Sequence, residues 1–278
     1  MVQMKFAIAR SDEEDFSDAL FDEGADSVAV ENAPADDAVV LTAIFREMKT
    51  LREELAWRLT EVAELEESVW KYRWLEHLEG VALTDEVYVQ PTTSSGLVPR
   101  EYPHIILIDP RDAFGDGHHP TTALCADALS TITRSVPTER RAQMRVIDVG
   151  TGTGVLAVLA ALLGYGRVDA IDIDPESVAR ARENFARNEC ARIGAACARV
   201  AEYAADAPYD IVIANLLSGI ITDNIDHLRR LTSPGGTIIA SGVSDQWHDE
   251  MTGLFRTHRL VVYRHDRKDG WNGYVVGA

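Results

Sequence analysis

The sequence predicts an α/β protein in which a mostly parallel sheet, covered by helices on both faces, follows a smaller α+β unit. From residue 145 onward, short apolar strands alternate regularly with helices, as they do where parallel strands are joined by helical crossovers. Three glycines stand between the first strand and the first helix of that alternation, at 150–154. The first 66 residues lack the alternation, and their predicted order β-α-β-β-α is typical of a ferredoxin-like unit.

The first unit contains three apolar runs of strand length, at 4–9, 27–30 and 39–45. Between the first two runs, a helix is predicted to begin at a capping box of Ser11 and Glu14 and to end at Gly24. Its buried face is expected to carry three apolar residues: Phe16, Leu20 and Phe21. The acidic residues at 12–15 are interpreted as its solvated first turn rather than as a binding tail. A charged helix is predicted at 46–65.

The domain boundaries follow from these patterns: 1–66 is the ferredoxin-like unit, 67–100 a bridge, and 101–278 the larger domain. Three aromatic residues crowd the start of the bridge: Trp70, Tyr72 and Trp74. Such residues can form a binding face, but packing between domains is the favoured interpretation. Strands are predicted at 87–89 and 105–108, with a turn-rich loop at 91–96.

The larger domain repeats strand and helix, with strands predicted at 146–149, 168–172, 209–214 and 237–240. A helix at 155–163 follows the glycines and stops at Gly164. Asp174 is expected to cap the next helix, whose first residue, Pro175, favours a helical start. A turn is predicted at 234–236.

The net charge limits the kinds of partner that the protein can bind. A formal charge of −18 over 278 residues argues against nucleic acid, because phosphate binding needs a basic face. It suits a basic partner, although solubility alone explains most acidic proteins. The three cysteines have no metal-type spacing and are predicted to be reduced thiols in a cytoplasmic protein. No apolar stretch approaches the roughly 20 residues that span a bilayer, and the first residues do not resemble a secretory signal, so no membrane partner is expected.

The loop at 150–154 has the spacing Gly-x-Gly-x-Gly, whereas dinucleotide-binding loops have Gly-x-Gly-x-x-Gly. Glycine at 150 and 152 lets the backbone turn tightly and lets a ligand approach it. Asp172, about 20 residues further on at the next strand end, can accept hydrogen bonds from both ribose hydroxyls of a nucleoside. With Asp148 before the glycines, the pattern favours S-adenosylmethionine. An ordinary tight turn and a nucleotide-dependent oxidoreductase are the alternatives.

Asn215 ends a later strand of the predicted sheet, so its side chain is expected at the same edge as the glycine loop. An asparagine carbonyl can accept a hydrogen bond from an amine and orient its lone pair, which suits N-methylation, a displacement governed by positioning. The amine must first be neutral, and free lysine has a pKa of about 10.4. A turn-forming asparagine is the alternative.

The segment 114–122 reads Phe-Gly-Asp-Gly-His-His-Pro-Thr-Thr. Its aspartate and two histidines, Asp116, His118 and His119, could bind a metal, but no further His or Cys cluster stands nearby. We therefore expect no metal and interpret the segment as a lid over the cofactor.

These motifs together resemble those of the methyltransferase family that modifies ribosomal protein L11 (PrmA type). The segments that carry the resemblance are 113–122, 146–154, 172–175 and 214–217, with further similarity at 24–31, 241–243 and 270–271. The family usually has threonine where Asp116 and His118 stand.

The resemblance implies a seven-stranded, Rossmann-like class I methyltransferase domain with S-adenosyl-L-methionine as cofactor. It also implies methylation of lysine side chains and an N-terminal α-amine of ribosomal protein L11. The residues expected at the cofactor are Phe114, Thr122, Gly150, Gly152, Asp172 and Asn215, with Asn215 also catalytic. The ferredoxin-like unit is the predicted substrate reader. The alternatives are a methyltransferase of another protein lysine or of a small amine, an oxidoreductase, and a non-catalytic cofactor-binding protein.

Overall fold

The computed structural model describes residues 2–32, 37–64, 78–94, 96, 98, 99, 101–111 and 113–277. The chain divides into two compact units, Met1–Trp74 and Leu75–Ala278. The predicted boundary at residue 66 lies outside the described residues, and so do the aromatic residues Trp70, Tyr72 and Trp74.

The first unit is a four-stranded antiparallel sheet with helical connections. Its elements are β1 (Val2–Ala9), α1 (Glu13–Asp22), β2 (Ser27–Asn32), β3 (Ala38–Phe45), α2 (Glu53–Ala56) and β4 (Leu59–Glu64). The strand order β2-β3-β1-β4, antiparallel throughout, is that of a ferredoxin-like unit. Alternate residues of β1, such as Met4 and Phe6, are buried in a core that also contains Leu20 and Leu41.

The prediction of a charged helix at 46–65 was wrong. Leu51 and Leu55, four residues apart, do pack in the core around the short helix α2. From Leu59 onward the chain instead forms β4 and pairs with β1, where Lys5 Nζ donates to Glu61 Oε2 at 2.9 Å. The free edge of β1 offers this segment a full ladder of backbone hydrogen bonds, which a helical pattern in the sequence does not reveal.

Two details at α1 also differ from prediction. A short 3-10 turn precedes the helix, and Ser11 Oγ donates to Asp12 Oδ1 instead of capping it. Phe21 is 49% exposed, whereas Leu20 is fully buried and Phe16 packs against the core. The predicted end at Gly24 is confirmed, because Gly24 has a φ of +87° and the Ala25 N–H bonds back to the Leu20 carbonyl.

The second unit is an α/β domain. Before its main sheet come β5 (Val81–Thr84), β6 (Val87–Pro91), β7 (His104–Ile108), α3 (Pro120–Ser135) and α4 (Thr138–Arg141). Then follow β8 (Arg145–Val149), α5 (Val155–Leu162), β9 (Arg167–Asp172), α6 (Pro175–Arg187), β10 (Gly194–Cys197) and β11 (Tyr209–Asn215). The last elements are α7 (Ser218–Leu231), β12 (Thr232–Ser244), α8 (His248–Thr257), β13 (Val261–Lys268) and β14 (Trp271–Gly277).

The main sheet has seven strands in the order β10-β9-β8-β11-β12-β14-β13. The first five are parallel, and β14 pairs antiparallel with both β12 and β13. The chain leaves β8 toward β9 and β10 on one side and returns to β11 on the other. The carboxyl ends of β8 and β11 therefore flank the topological switch point, where ligands bind in open α/β sheets.

Strand periodicity distributes the apolar residues between two cores. Val146 of β8 packs on one face with α3, α5 and the small sheet β5-β6-β7, whereas Ile147 packs on the other face with α7 and α8. Ile213 and Ala214 of β11 divide in the same way. Because successive side chains of a strand point to opposite faces, a continuous apolar run fills both layers, as the sequence predicted.

The turn predicted at 234–236 lies inside β12 rather than before it. The register between β11 and β12 shifts there, from Thr232 opposite Tyr209 to Thr237 opposite Ile211, and Gly235 has a φ of +74°. The glycines thus form a bulge in a strand that begins directly after α7. Within the described ranges, no helix has the length and apolar character needed to cross a membrane.

Candidate functional site

The predicted site residues converge on the carboxyl edge of the main sheet. Asp148, Asp172 and Asn215 lie in or at the ends of the adjacent strands β8, β9 and β11. The loop 150–154 leaves β8 at this edge, and the segment 109–119 contacts that loop. The crevice at the switch point is therefore bounded by residues that the sequence singled out separately.

Glycine is required at two positions of the loop. Gly152 has a φ of +52°, and a Cβ there would lie 2.2 Å from the Phe114 carbonyl oxygen. Gly150 has a φ of +73°, and a Cβ there would lie 2.3 Å from Leu216 Cδ2. With a positive φ and so short a contact at each position, the loop can follow this path only with glycine at 150 and 152.

The Asp172 carboxylate holds the glycine loop and the following turn together. Gly152 N–H donates to Oδ2 and Asp174 N–H donates to Oδ1, both at 3.0 Å. Asp174 accepts from the N–H groups of Glu176 and Ser177 and so caps α6, as predicted. Each oxygen of Asp172 thus makes one backbone hydrogen bond and retains a second lone pair for another donor.

Asp148 is buried beneath the loop. Its burial raises the pKa to about 7, and the negative charge of Asp172 acts in the same direction. Thr151 Oγ1 donates to Asp148 Oδ2 at 2.7 Å and partly opposes the shift. This carboxyl group is consequently part protonated near neutral pH.

The segment predicted as a lid is hydrogen-bonded to the glycine loop. Thr153 N–H donates to the Phe114 carbonyl at 2.9 Å, and Thr153 Oγ1 donates to the Gly115 carbonyl at 2.7 Å. Asn184 Nδ2 of α6 donates to the carbonyls of Thr153 and Asp109. These contacts fix both sides of the segment to the framework of the sheet.

Asp109 anchors the start of this segment. Its burial disfavours the ionised form, but the guanidinium groups of Arg111, Arg180 and Arg187 hold the pKa of its carboxyl group below the usual range. Arg111 donates to both carboxylate oxygens, with Nη2 2.5 Å from Oδ2. Sequence reasoning missed this cluster, because two of its three arginines, Arg180 and Arg187, stand on α6, more than seventy residues further along the chain.

Asn215 lies opposite the first turn of α3. Its Nδ2 is 3.4 Å from Oγ1 of Thr122, which is fully buried. His119 caps α3, and its Nδ1 lies 2.7 Å from Thr121 Oγ1. Thr122 and Asn215, 93 residues apart, are thereby brought into one polar contact at the switch point.

Aromatic and apolar side chains line the same edge. The His119 ring packs edge-on against Phe114 and Trp271, with centroid distances of 5.4 and 4.8 Å. Three apolar side chains are mostly exposed at this edge: Phe114 (55%), Ile173 (65%) and Leu217 (64%). Sequence reasoning did not single out Ile173 or Leu217. The available signal was an apolar residue placed just after a polar residue that ends a buried strand.

Asp116 and His118 pair with each other. His118 N–H donates to Asp116 Oδ1 at 3.1 Å, and His118 Nδ1 lies 3.3 Å from Asp116 Oδ2. In the part of the chain that the structure describes, no three His, Cys, Asp or Glu side chains are grouped closely enough to hold a metal ion.

Comparison with known proteins identifies the family. A family model described as ribosomal protein L11 methyltransferase (PrmA) matches residues 1–277. The chain belongs to this family. A ribosomal protein L11 methyltransferase of Staphylococcus aureus is 31% identical over 257 residues, which cover 85% of this chain and 78% of that protein. One of Exiguobacterium is 34% identical over 191 residues, 69% of this chain and 59% of that protein.

A solved structure agrees with the family assignment. The ribosomal protein L11 methylase of Lactobacillus delbrueckii subsp. bulgaricus superposes with a TM-score of 0.64 at 27% identity, over 72% of this chain and 98% of that one. The strand order of the main sheet, 3-2-1-4-5-7-6 when its seven strands are numbered from β8 in chain order, is thus the class I fold of an S-adenosylmethionine-dependent protein methyltransferase family. The predicted fold class, family and cofactor are confirmed.

Proposed function

We propose that this chain transfers methyl groups from S-adenosylmethionine to amines of ribosomal protein L11, on lysine side chains and on the N-terminal α-amine. The observation that carries the proposal is the juxtaposition of the glycine loop, Asp172 and Asn215 at one switch point, in a chain that matches the family over residues 1–277. Membership of the family supports the substrate, and the geometry supports a transfer at this edge.

The residues at the crevice fit the cofactor. Glycine at 150 and 152 suits a tight loop whose backbone approaches a ligand, and the free lone pairs of Asp172 suit the two hydroxyls of a ribose. The exposed side chains of Ile173 and Phe114 offer apolar surface to a planar base. Thr122 and Asn215 complete the polar side of the site.

Asn215 is the proposed catalytic residue. When bound, S-adenosylmethionine supplies a methyl group on a positively charged sulfur. Thr122 engages Nδ2 of Asn215, and among the described residues Oδ1 has no protein partner, so Oδ1 is free to accept an N–H of the substrate amine. One such hydrogen bond fixes the direction of the nitrogen lone pair. Positioning of this kind supplies much of the rate in a direct displacement.

The first unit is proposed to recognise the protein substrate. Residues 1–66 contain 17 acidic and 6 basic side chains, which leaves a net charge of −11, more than half of the −18 carried by the whole chain. Ribosomal proteins are typically basic, so encounter would be steered electrostatically. None of the strands that position the glycine loop, Asp172 or Asn215 belongs to this unit.

The proposed reaction is tested by mass spectrometry of purified ribosomal protein L11 after incubation with the enzyme and isotopically labelled S-adenosylmethionine. We expect labelled methyl groups on lysines and on the N-terminal amine. Labelling of a different protein in a whole ribosomal-protein mixture, with L11 unmodified, would favour the alternative protein substrate.

The role of the first unit is tested with a chain that begins at Leu75. We expect it to bind S-adenosylmethionine by calorimetry, which also shows that it is folded, but not to methylate intact L11. For the full chain, raising the salt concentration should increase KM for L11, since exposed charges are screened beyond about 8–10 Å at physiological ionic strength. Full activity of the shortened chain would contradict this role.

A further inference from the structure

A small cavity opens at the carboxyl edge of the main sheet, between α7 and α8. At the start of α8 it is lined by Met251, which is buried, and by Trp247, which is 42% exposed. Ser218 and Thr222 of α7 also line the cavity. So do two acidic residues that are exposed to solvent, Asp223 of α7 and Glu250 of α8. Ser218 follows Asn215 by only three residues, so the cavity begins where the proposed catalytic residue ends its strand.

The size of the cavity fits one side chain. Its volume is about 170 Å³. Pockets for cofactors and drug-sized ligands run from about 300 to 1,000 Å³, whereas a cavity of about 150 Å³ is enough for a single benzene. The cavity is therefore too small for the methyl donor and large enough for one long amino-acid side chain.

The charges at the cavity favour a cation. The first turns of α7 and α8 both line it, and two helix N-termini together present about one positive charge. Asp223 and Glu250 present two negative charges, and neither makes a hydrogen bond or ion pair with a described residue. The net charge is therefore negative. Glu250, in the first turn of α8, also stabilises that helix, but Asp223 lies beyond the first turn of α7 and has no such role.

The indole of Trp247 adds a second attraction for the same kind of ligand. An aromatic face binds ammonium and guanidinium groups, and tryptophan does so best. The side chain is partly exposed and lines the cavity together with the buried Met251, and no described residue stacks on it or bonds to its N–H. An aromatic wall with two unpaired carboxylates is the combination that recognises a lysine or arginine side chain.

We propose that this cavity, formed by Trp247, Asp223, Glu250 and Met251, is a substrate subsite that binds a lysine or arginine side chain next to the amine being methylated. The inference rests on the proposed function for the identity of the substrate. It adds a second anchor point on the catalytic domain, separate from the first unit. Such an anchor would favour target amines that have a cationic neighbour in the protein substrate.

The site itself is tested without any methyl transfer, on the full chain labelled with ¹⁵N. The indole N–H signal of Trp247, identified by its loss in Trp247→Phe, should move on titration with butylammonium chloride and stay in place with sodium butyrate at equal ionic strength. The shift should be reduced at least severalfold in Asp223→Asn. No movement, or equal movement with the cation and the anion, would overturn the proposal.

Kinetics with ribosomal protein L11 test the function of the subsite. Asp223→Asn and Glu250→Gln should each raise KM by up to about fivefold, the range of an exposed ion pair, with kcat unchanged. Trp247→Ala should raise KM about tenfold. Glu139→Gln, which removes the same charge from α4 before β8, is the matched control and should change neither parameter. Unchanged KM in all three variants would refute the subsite, whereas an inactive wild-type enzyme would refute the proposed function and leave the NMR result to decide the cavity.

Discussion

The two edges of the main sheet carry acidic residues in opposite surroundings. At the amino edge, Asp169 accepts from Tyr209 Oη and Arg167 Nε, both at 2.9 Å, and Arg167 also donates to Asp206. Arg145 pairs with Asp206 and stands over the Tyr209 ring, 4.9 Å from its centroid. Every carboxylate in this cluster has at least one arginine partner.

At the carboxyl edge, two acidic residues, Asp148 and Asp172, have no cationic partner among the described residues. Asp172 accepts from two backbone N–H groups, and Asp148 accepts from the Thr151 hydroxyl. The amino edge is thus internally neutralised and stabilises the fold, whereas the negative charge of Asp172 at the carboxyl edge is not matched by a described cation. An edge of this kind suits ligands that bring positive charge, as the sulfonium of S-adenosylmethionine does.

The largest expected effect concerns the pH dependence of stability through Asp148. Its pKa is raised by burial to about 7, so in the folded state the group stays protonated up to near-neutral pH. Its contribution to stability is present at low pH and is lost as the pH rises through about 7. Asp148→Asn does not titrate. The free energy of unfolding of Asp148→Asn, measured relative to that of wild type, should therefore rise by about 4 kcal/mol as the pH is raised from 4 to 8. Each unit by which folding raises the pKa of Asp148 is worth about 1.4 kcal/mol.

Urea unfolding of both proteins across that pH range measures this difference directly. Other titrating groups are common to the two proteins and cancel. A constant difference between wild type and Asp148→Asn would show that Asp148 is ionised throughout, and that the carboxyl edge carries one more negative charge than we infer.

The second prediction tests the carboxyl edge as the place of chemistry. Asn215→Ala removes the amide oxygen proposed to orient the substrate amine, and we expect kcat to fall about 100-fold, or about 2.7 kcal/mol. Affinity for S-adenosylmethionine should stay within a few fold. Asn224→Ala, on the exposed side of α7, is the matched control and should retain kcat. Single-turnover transfer by Asn215→Ala within a few fold of wild type would make Asn215 structural.

The third prediction addresses the amino edge. Asp169→Asn keeps the shape of a buried side chain but removes the charge that faces Arg167 and Tyr209. We expect a loss of about 2 kcal/mol in the free energy of unfolding, in the range for hydrogen bonds to charged groups. The kinetic constants at low temperature should be unchanged. A fall in kcat of Asp169→Asn without a fall in its free energy of unfolding would contradict the assignment of stability to the amino edge and of catalysis to the carboxyl edge.

The smallest expected effect is on cofactor affinity. Asp172→Asn leaves one carbonyl oxygen where two carboxylate oxygens now accept N–H groups, and it removes the charge. We expect affinity for S-adenosylmethionine to fall about tenfold, in the range of one charge-assisted hydrogen bond. Asp174→Asn, which changes the neighbouring cap of α6, should stay within twofold. Calorimetric titration with S-adenosylmethionine measures both affinities. If Asp172→Asn and Asp174→Asn bind the cofactor equally well, Asp172 is not part of the cofactor site.

The sequence was most informative where neighbouring residues decide the structure. The strands of the second unit, the cap at Asp174 and the end of α1 at Gly24 are set by side-chain alternation, a capping carboxylate and a positive φ. It was least informative at 46–65, where helix-like spacing of leucines gave way to β4. An unpaired strand edge decided that segment, and such an edge exists only in the folded sheet.

By itself, the sequence predicted that the loop with Gly150 and Gly152 follows a parallel strand and that Asp172 and Asn215 end such strands at the same edge, because strand periodicity and glycine spacing are local and all carboxyl ends of parallel strands meet at one edge. Only the tertiary structure decided that Thr122 contacts Asn215, that Asp109 pairs with arginines of α6, and that Trp247 and Asp223 line one cavity. The physical reason is the order of the strands: the return of the chain from β10 to β11 brings together residues that no local pattern connects.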